Sequence, residues 1–233
     1  MHSRQRLGFV LACALPVALG AGIGCIPDPK GDFDDYTDRT GDFRKAPADS
    51  GAVDSAPPEG SVQGLYYGAC LSTLAAGRVD RVLRFYTEVN YVADGPGAKT
   101  GKIDLKLTPM KLGPNNGPPE KVSKEWTTGQ TYTVPATATN ANGVYAAPLG
   151  TVNVPGNANP ISGRDIIVED AQVPGRFAKE KFCSQLIGHV VQPTDIPLEG
   201  DKNTCIYFPV KEGDVPPTLK LDGSDFPSTC TLN

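Results

Sequence analysis

The sequence predicts a mainly β protein, an antiparallel β-sandwich or open β-barrel stabilised by disulfides. Three observations carry that prediction. Apolar residues recur at every second position in short runs, the pattern of half-buried strands. Gly (26) and Pro (22) together make up about a fifth of the 233 residues. That is roughly double average usage, and both residues disfavour helix interiors. Four of the six cysteines, Cys70, Cys183, Cys205 and Cys230, lie in the body and form an even set.

The first 24 residues read as a targeting segment, to be set aside before any fold is derived. Arg4 and Arg6 precede an uncharged run of 18 residues, Leu7 to Gly24. That length is marginal for a membrane span. Pro16 interrupts it, and Gly20, Gly22 and Gly24 crowd its end. Cys25 follows directly.

The arrangement Gly22-Ile23-Gly24-Cys25 resembles the signal peptide of bacterial lipoproteins. Gly at −1 and Ile at −2 suit that pattern, while Gly22 stands where Leu is usual. An alternative, Val10-Leu11-Ala12-Cys13, leaves only six apolar residues before it, short of a normal hydrophobic region. The resemblance implies diacylglyceryl transfer to the Cys25 thiol and cleavage before it. The membrane is then a partner through the lipid anchor at Cys25, with no transmembrane helix required. The resemblance also implies outer-membrane attachment, because Ile26 replaces the Asp that typically retains such proteins in the inner membrane. The expected location is the cell envelope, facing the periplasm or the cell surface.

Residues 25–60 read as an acidic flexible tether. After Cys25, nine acids face four bases, a net charge of −5 over 35 residues with few large aliphatics. Such a segment cannot bury enough apolar surface to offset its ordering entropy. Self-repulsion extends it. Phe33 to Thr40 is an acidic-aromatic stretch similar to ones found after the lipid cysteine of uncharacterised bacterial lipoproteins. An EF-hand started at Asp32 places Tyr36 and Thr37 at loop positions 5 and 6, where a ligand and Gly are needed. No metal site is expected there.

Residues 61–233 are expected to form a single β-rich globular domain of nearly neutral charge. Leu65, Tyr67, Ala69 and Leu71 share a face and open the sheet. In residues 81–92, Leu83, Phe85, Thr87, Val89 and Tyr91 fall on one face, and Arg84, Glu88 and Asn90 on the other. Ile103, Leu105 and Leu107 alternate with Lys102, Asp104 and Lys106. Tyr132, Val134, Ala136 and Ala138 share the next face. Asn142-Gly143 then supplies a tight turn before Val144 to Leu149, since Asn-Gly readily takes positive φ. Arg176 to Gln185 is the one helix expected in the body. Ile166 to Val168, Leu186 to Val191, Cys205 to Val210 and Leu219 to Leu221 are short strand-like runs. Pro135, Pro148 and Pro209 imply edges, bulges or strand ends.

With Cys13 removed and Cys25 acylated, the four body cysteines form an even set, which in an exported protein points to two disulfides. No C-x-x-C spacing suggests redox or zinc chemistry. Three connectivities are open. The short loop favours Cys183–Cys205, leaving Cys70–Cys230 to join the start of the body to its end.

No G-x-S-x-G, H-E-x-x-H or phosphate-loop motif is present. No cofactor and no catalytic residue is therefore assigned. His189 is expected as a solvent-facing or hydrogen-bonded strand residue. Glu169 and Asp170, adjacent on a strand, should point to opposite faces. Trp126, Tyr132 and Tyr145 are the candidate ligand-binding residues, as an aromatic platform for sugar stacking. The mild charge offers no basic face to nucleic acid. The expected function is a lipid-anchored envelope protein, a non-catalytic binding module for a protein or glycan partner. The alternatives are a structural subunit of an envelope complex, or a secreted hydrolase on cell-wall or polysaccharide substrates using a carboxylate pair assembled by folding.

Overall fold

The computed structural model describes residues 60–75, 78–227 and 230. The signal peptide, nearly all of the tether, Cys13 and Cys25 lie outside the described residues. The described residues form twelve strands: β1 (Val62–Leu71), β2 (Leu83–Ala93), β3 (Gly101–Pro109), β4 (Tyr132–Thr139), β5 (Val144–Tyr145), β6 (Pro148–Val154), β7 (Ile166–Gln172), β8 (Gly175–Arg176), β9 (Phe182–Gln185), β10 (Ile187–Gln192), β11 (Ile196–Leu198) and β12 (Thr204–Val210). Helical structure among them is confined to three-residue 3-10 turns.

Eight strands form one antiparallel sheet in the order β4-β3-β2-β1-β12-β9-β8-β5. Four form a second, in the order β11-β10-β7-β6. The large sheet nearly closes on itself. Its two edge strands, β4 and β5, are consecutive in the chain, and the Asn140 N–H donates to the Val144 carbonyl across the gap (3.0 Å). The Asn140 side chain fixes this corner by accepting from the N–H groups of Asn142 (2.9 Å) and Val144 (3.0 Å). Gly143 takes φ +75°, and a Cβ there would lie 2.5 Å from the Phe177 carbonyl oxygen. Position 143 therefore requires Gly for both reasons.

The β3 alternation is complete: Ile103, Leu105 and Leu107 are buried, and Lys102 and Lys106 exposed. On β4 the expected face holds only for Tyr132 and Val134. The ladder with β3 slips between Ile103 and Leu105, giving β4 one extra residue around Pro135. The slip turns Ala136 and Ala138 outward and Thr139 inward. Pro135 is tolerated because β4 is an edge strand. Pro148 begins β6, also an edge. Pro209 lies on β12 beyond its pairing with β9, which ends at Tyr207.

Two cores result. The larger joins both sheets. Tyr91, Leu105 and Val134 of the large sheet meet Val154, Val168 and Val190 of the small one. Within it Phe182 stacks on Tyr207, with ring centroids 4.3 Å apart, and meets Tyr66 and Phe177 edge-on. The smaller core lies on the opposite face of β1, β2 and β12. There Tyr67, Ala69, Tyr86 and Ile206 pack against Val79, Val82, Met110, Val122 and Phe226 from connecting segments.

Three expectations need correction. Residues 176–185 are not a helix; they run from the end of β8 through a bend into β9. Their apolar positions, Phe177, Ala178 and Phe182, are spaced for a helical face, yet all three are used in the larger core from extended backbone. Leu219–Leu221 is not a strand. The disulfides are neither Cys183–Cys205 nor Cys70–Cys230. Cys70 bonds Cys205, and Cys183 bonds Cys230. Cys70 and Cys205 are register partners across the β1–β12 ladder, which brings their side chains together on one face. Cys183 faces Ile206 instead.

Candidate functional site

A cleft of about 670 Å³ opens over the smaller core. Its floor includes Tyr67 of β1 and Arg84 of β2. The strands pair with Ala69 opposite Arg84 and Tyr67 opposite Tyr86. Alternation then places Tyr67 and Arg84 on the same face. One wall is the 3-10 turn Val79–Arg81 with Arg78 before it. Another is the loop Asn115–Glu120, shaped by Pro118 and Pro119. The third is the segment Val215–Leu219 with Leu221, which follows β12. Val215 and Leu221 are 78% and 84% exposed, an apolar rim beside a charged floor.

The polar groups of the cleft are unevenly satisfied. Arg78 and Asp80 form a bidentate pair, Nε to Oδ1 at 3.0 Å and Nη2 to Oδ2 at 2.5 Å. The hydrogen bond from Arg78 holds the Asp80 carboxyl below its ordinary pKa. Asp80 is thus a committed carboxylate rather than a store of protons for acid catalysis. Arg84 is only 4% exposed. Its Nη1 donates to the Val82 carbonyl (3.1 Å), and the Tyr67 phenol lies within its electrostatic reach. Its Nε–H is buried without an acceptor. Burial raises the Tyr67 phenol pKa, and the neighbouring Arg84 opposes but does not cancel that shift. Tyr67 is therefore neutral at pH 7.

The residues singled out from sequence are not brought together. Tyr132 and Tyr145 are buried in the larger core. The Tyr132 hydroxyl is occupied by the Asn153 backbone, donating to its carbonyl and accepting from its N–H, both at 2.6 Å. Trp126 closes the turn Lys124–Trp126 and packs against the smaller core on the other face. The aromatic platform does not form, because period-two alternation drives both tyrosines inward.

Glu169 and Asp170 are both exposed rather than split between faces. Asp170 takes φ +50° where β7 carries an extra residue against β6, so the alternation breaks there. His189 is exposed and pairs through Nε2 with Asp195. Among the described residues no three His, Cys, Asp or Glu side chains gather to hold a metal. A small void of about 30 Å³ lined by apolar side chains lies between the sheets.

Arg84 was legible only as one polar residue on the outer face of its strand. The available signal was the three-residue spacing of Arg78, Arg81 and Arg84 at the entry to β2. Compared with known proteins, the chain matches no family model, no curated sequence and no solved structure.

Proposed function

We propose that the chain is an exported, lipid-anchored protein of a bacterial envelope whose β body is a non-catalytic binding module for a protein or glycan partner. The signal peptide spans residues 1–24, Cys25 receives the lipid, and residues 25–60 hold the body off the membrane. The observation that carries this reading is the pairing of all four body cysteines in two disulfides. Structural disulfides persist in oxidising compartments and are rare in the cytosol. They agree with the export that Gly22-Ile23-Gly24-Cys25 suggests. The cleft over Tyr67 and Arg84 supports the binding half. It is large enough for a ligand and combines an apolar rim with few fixed polar groups, the usual make-up of a binding site. Ile26 supports attachment to the outer membrane.

The test is Cys25→Ala in a lipoprotein-processing host. The wild type is expected to incorporate labelled fatty acid and to fractionate with the outer membrane. The variant is expected to lose the label and to retain its uncleaved leader. Normal processing and membrane attachment in the variant would overturn the anchor.

A further inference from the structure

Arg84 carries a permanent positive charge with no carboxylate paired to it among the described residues. Asp80, on the same cleft wall, is engaged by Arg78, and Glu120 is exposed at the rim. The Val82 carbonyl and the Tyr67 hydroxyl give the guanidinium dipoles but no counter-charge. Burying a charge without an opposite partner is costly, and buried guanidinium groups are normally matched by a carboxylate or phosphate. Here one donor of the fork, the Nε–H, lacks any acceptor.

We infer that Arg84 anchors an oxyanion site, and that the cleft takes a ligand whose carboxylate or phosphate group supplies the missing counter-charge. The inference deepens the binding-module reading and rests on it. The planar donor fork of a guanidinium matches the geometry of either group. Arg81 lines the same cleft with no ion-pair partner among the described residues and adds attraction at the mouth. The rim of Val215 and Leu221 meets the apolar remainder of the ligand. This pairs an anionic head with an apolar neighbour, a combination that neither a plain neutral glycan nor a simple inorganic cation offers.

The test uses the full-length protein in detergent micelles, with sodium phosphate and sodium acetate as probes and sodium chloride at matched ionic strength as control. The 1H–15N resonance of the Arg84 Nε–H is expected to shift and saturate with phosphate, acetate or both, and to stay still in chloride. A response to phosphate alone identifies a phosphate ligand, and one to acetate alone a carboxylate. Arg84→Lys keeps the charge but loses the fork, and should weaken the responding anion about tenfold or more. Arg84→Met removes the uncompensated charge. Its melting temperature without added anion should equal or exceed that of the wild type, with no saturable rise on adding the anion. The site is refuted if neither anion moves the resonance beyond chloride, or if Arg84→Lys binds as tightly as the wild type. Either result leaves the Cys25 test, and the anchor it reads, untouched.

Discussion

Asn203 shows what a single side chain does here. It is fully buried in the turn before β12. Its Oδ1 accepts from the Ser72 hydroxyl (2.8 Å), the Thr73 N–H (2.9 Å) and the Thr73 hydroxyl (3.2 Å). Its Nδ2 donates to the Glu199 carbonyl (2.6 Å). One amide thereby ties the end of β1 to the entry of β12. Asn203→Ala leaves several buried groups unpaired and is expected to cost about 3 kcal/mol, read from urea unfolding. Gly68 is a second sensitive position. A Cβ there would sit 3.1 Å from both the Thr87 hydroxyl and the Tyr207 ring. Gly68→Ala should destabilise by about 1–3 kcal/mol through overpacking, with the same urea assay as the measure. Neither role was legible in the sequence. Asn203 depends on Ser72 and Gly68 on Tyr207, partners more than a hundred residues away in the chain. Arg84 is similar. Its face on β2 follows from alternation, but its burial comes from loops whose course alternation does not predict.

At the scale of elements, the regular strands were the most legible. β3 keeps a strict inside-outside pattern along its whole length, so its register can be read directly. β4 and β7 each carry an extra residue, and each lost its expected faces beyond that point. A bulge shifts side-chain direction by one position, which no periodicity announces. The stretch 176–185 failed differently. Short apolar runs fit helix and strand alike, and here tertiary packing of Phe177 and Phe182 decided the outcome. The disulfides follow the strand ladders, so their pairing waits on topology rather than loop length. Cys183–Cys230 ties the segment after β12, which walls the cleft through Val215–Leu219, back to β9. In the chain-entropy picture, a crosslink across 47 residues contributes about 4 kcal/mol. Replacing both cysteines by Ala should lower the melting temperature accordingly. It should also hasten protease cleavage between residues 211 and 227 while sparing β1 to β3. Uniform cleavage across the body would instead mean that the crosslink serves the whole fold.

At the scale of the whole molecule, the buried tyrosines couple the fold to pH. Seven tyrosines are buried among the described residues. Burial, aided by Glu180, pushes the Tyr66 phenol up to about 12. Burial pushes Tyr207 up to about 12 as well, against a hydrogen bond with Ser184 that lowers it. Tyr145 is raised well above its usual value by burial and by Tyr207. A folded pKa above the unfolded one means the native state holds its proton longer. The stability these groups confer is full below about pH 10 and is lost as pH rises toward 12. Phenolate absorbance at 295 nm should therefore appear together with loss of the β-sheet circular dichroism signal. A fold that stays intact while most tyrosines titrate near pH 10 would contradict this coupling. The topology has one more consequence, a mechanical one. β1 is hydrogen-bonded along both edges, to β2 and to β12. Tension arriving from residue 61 loads two ladders in shear at once rather than peeling one strand from an edge. Should those ladders slip, Cys70 is already covalently joined to Cys205, and the tear stops at the ninth residue of β1. β1 is thus the mechanically resistant strand of the body.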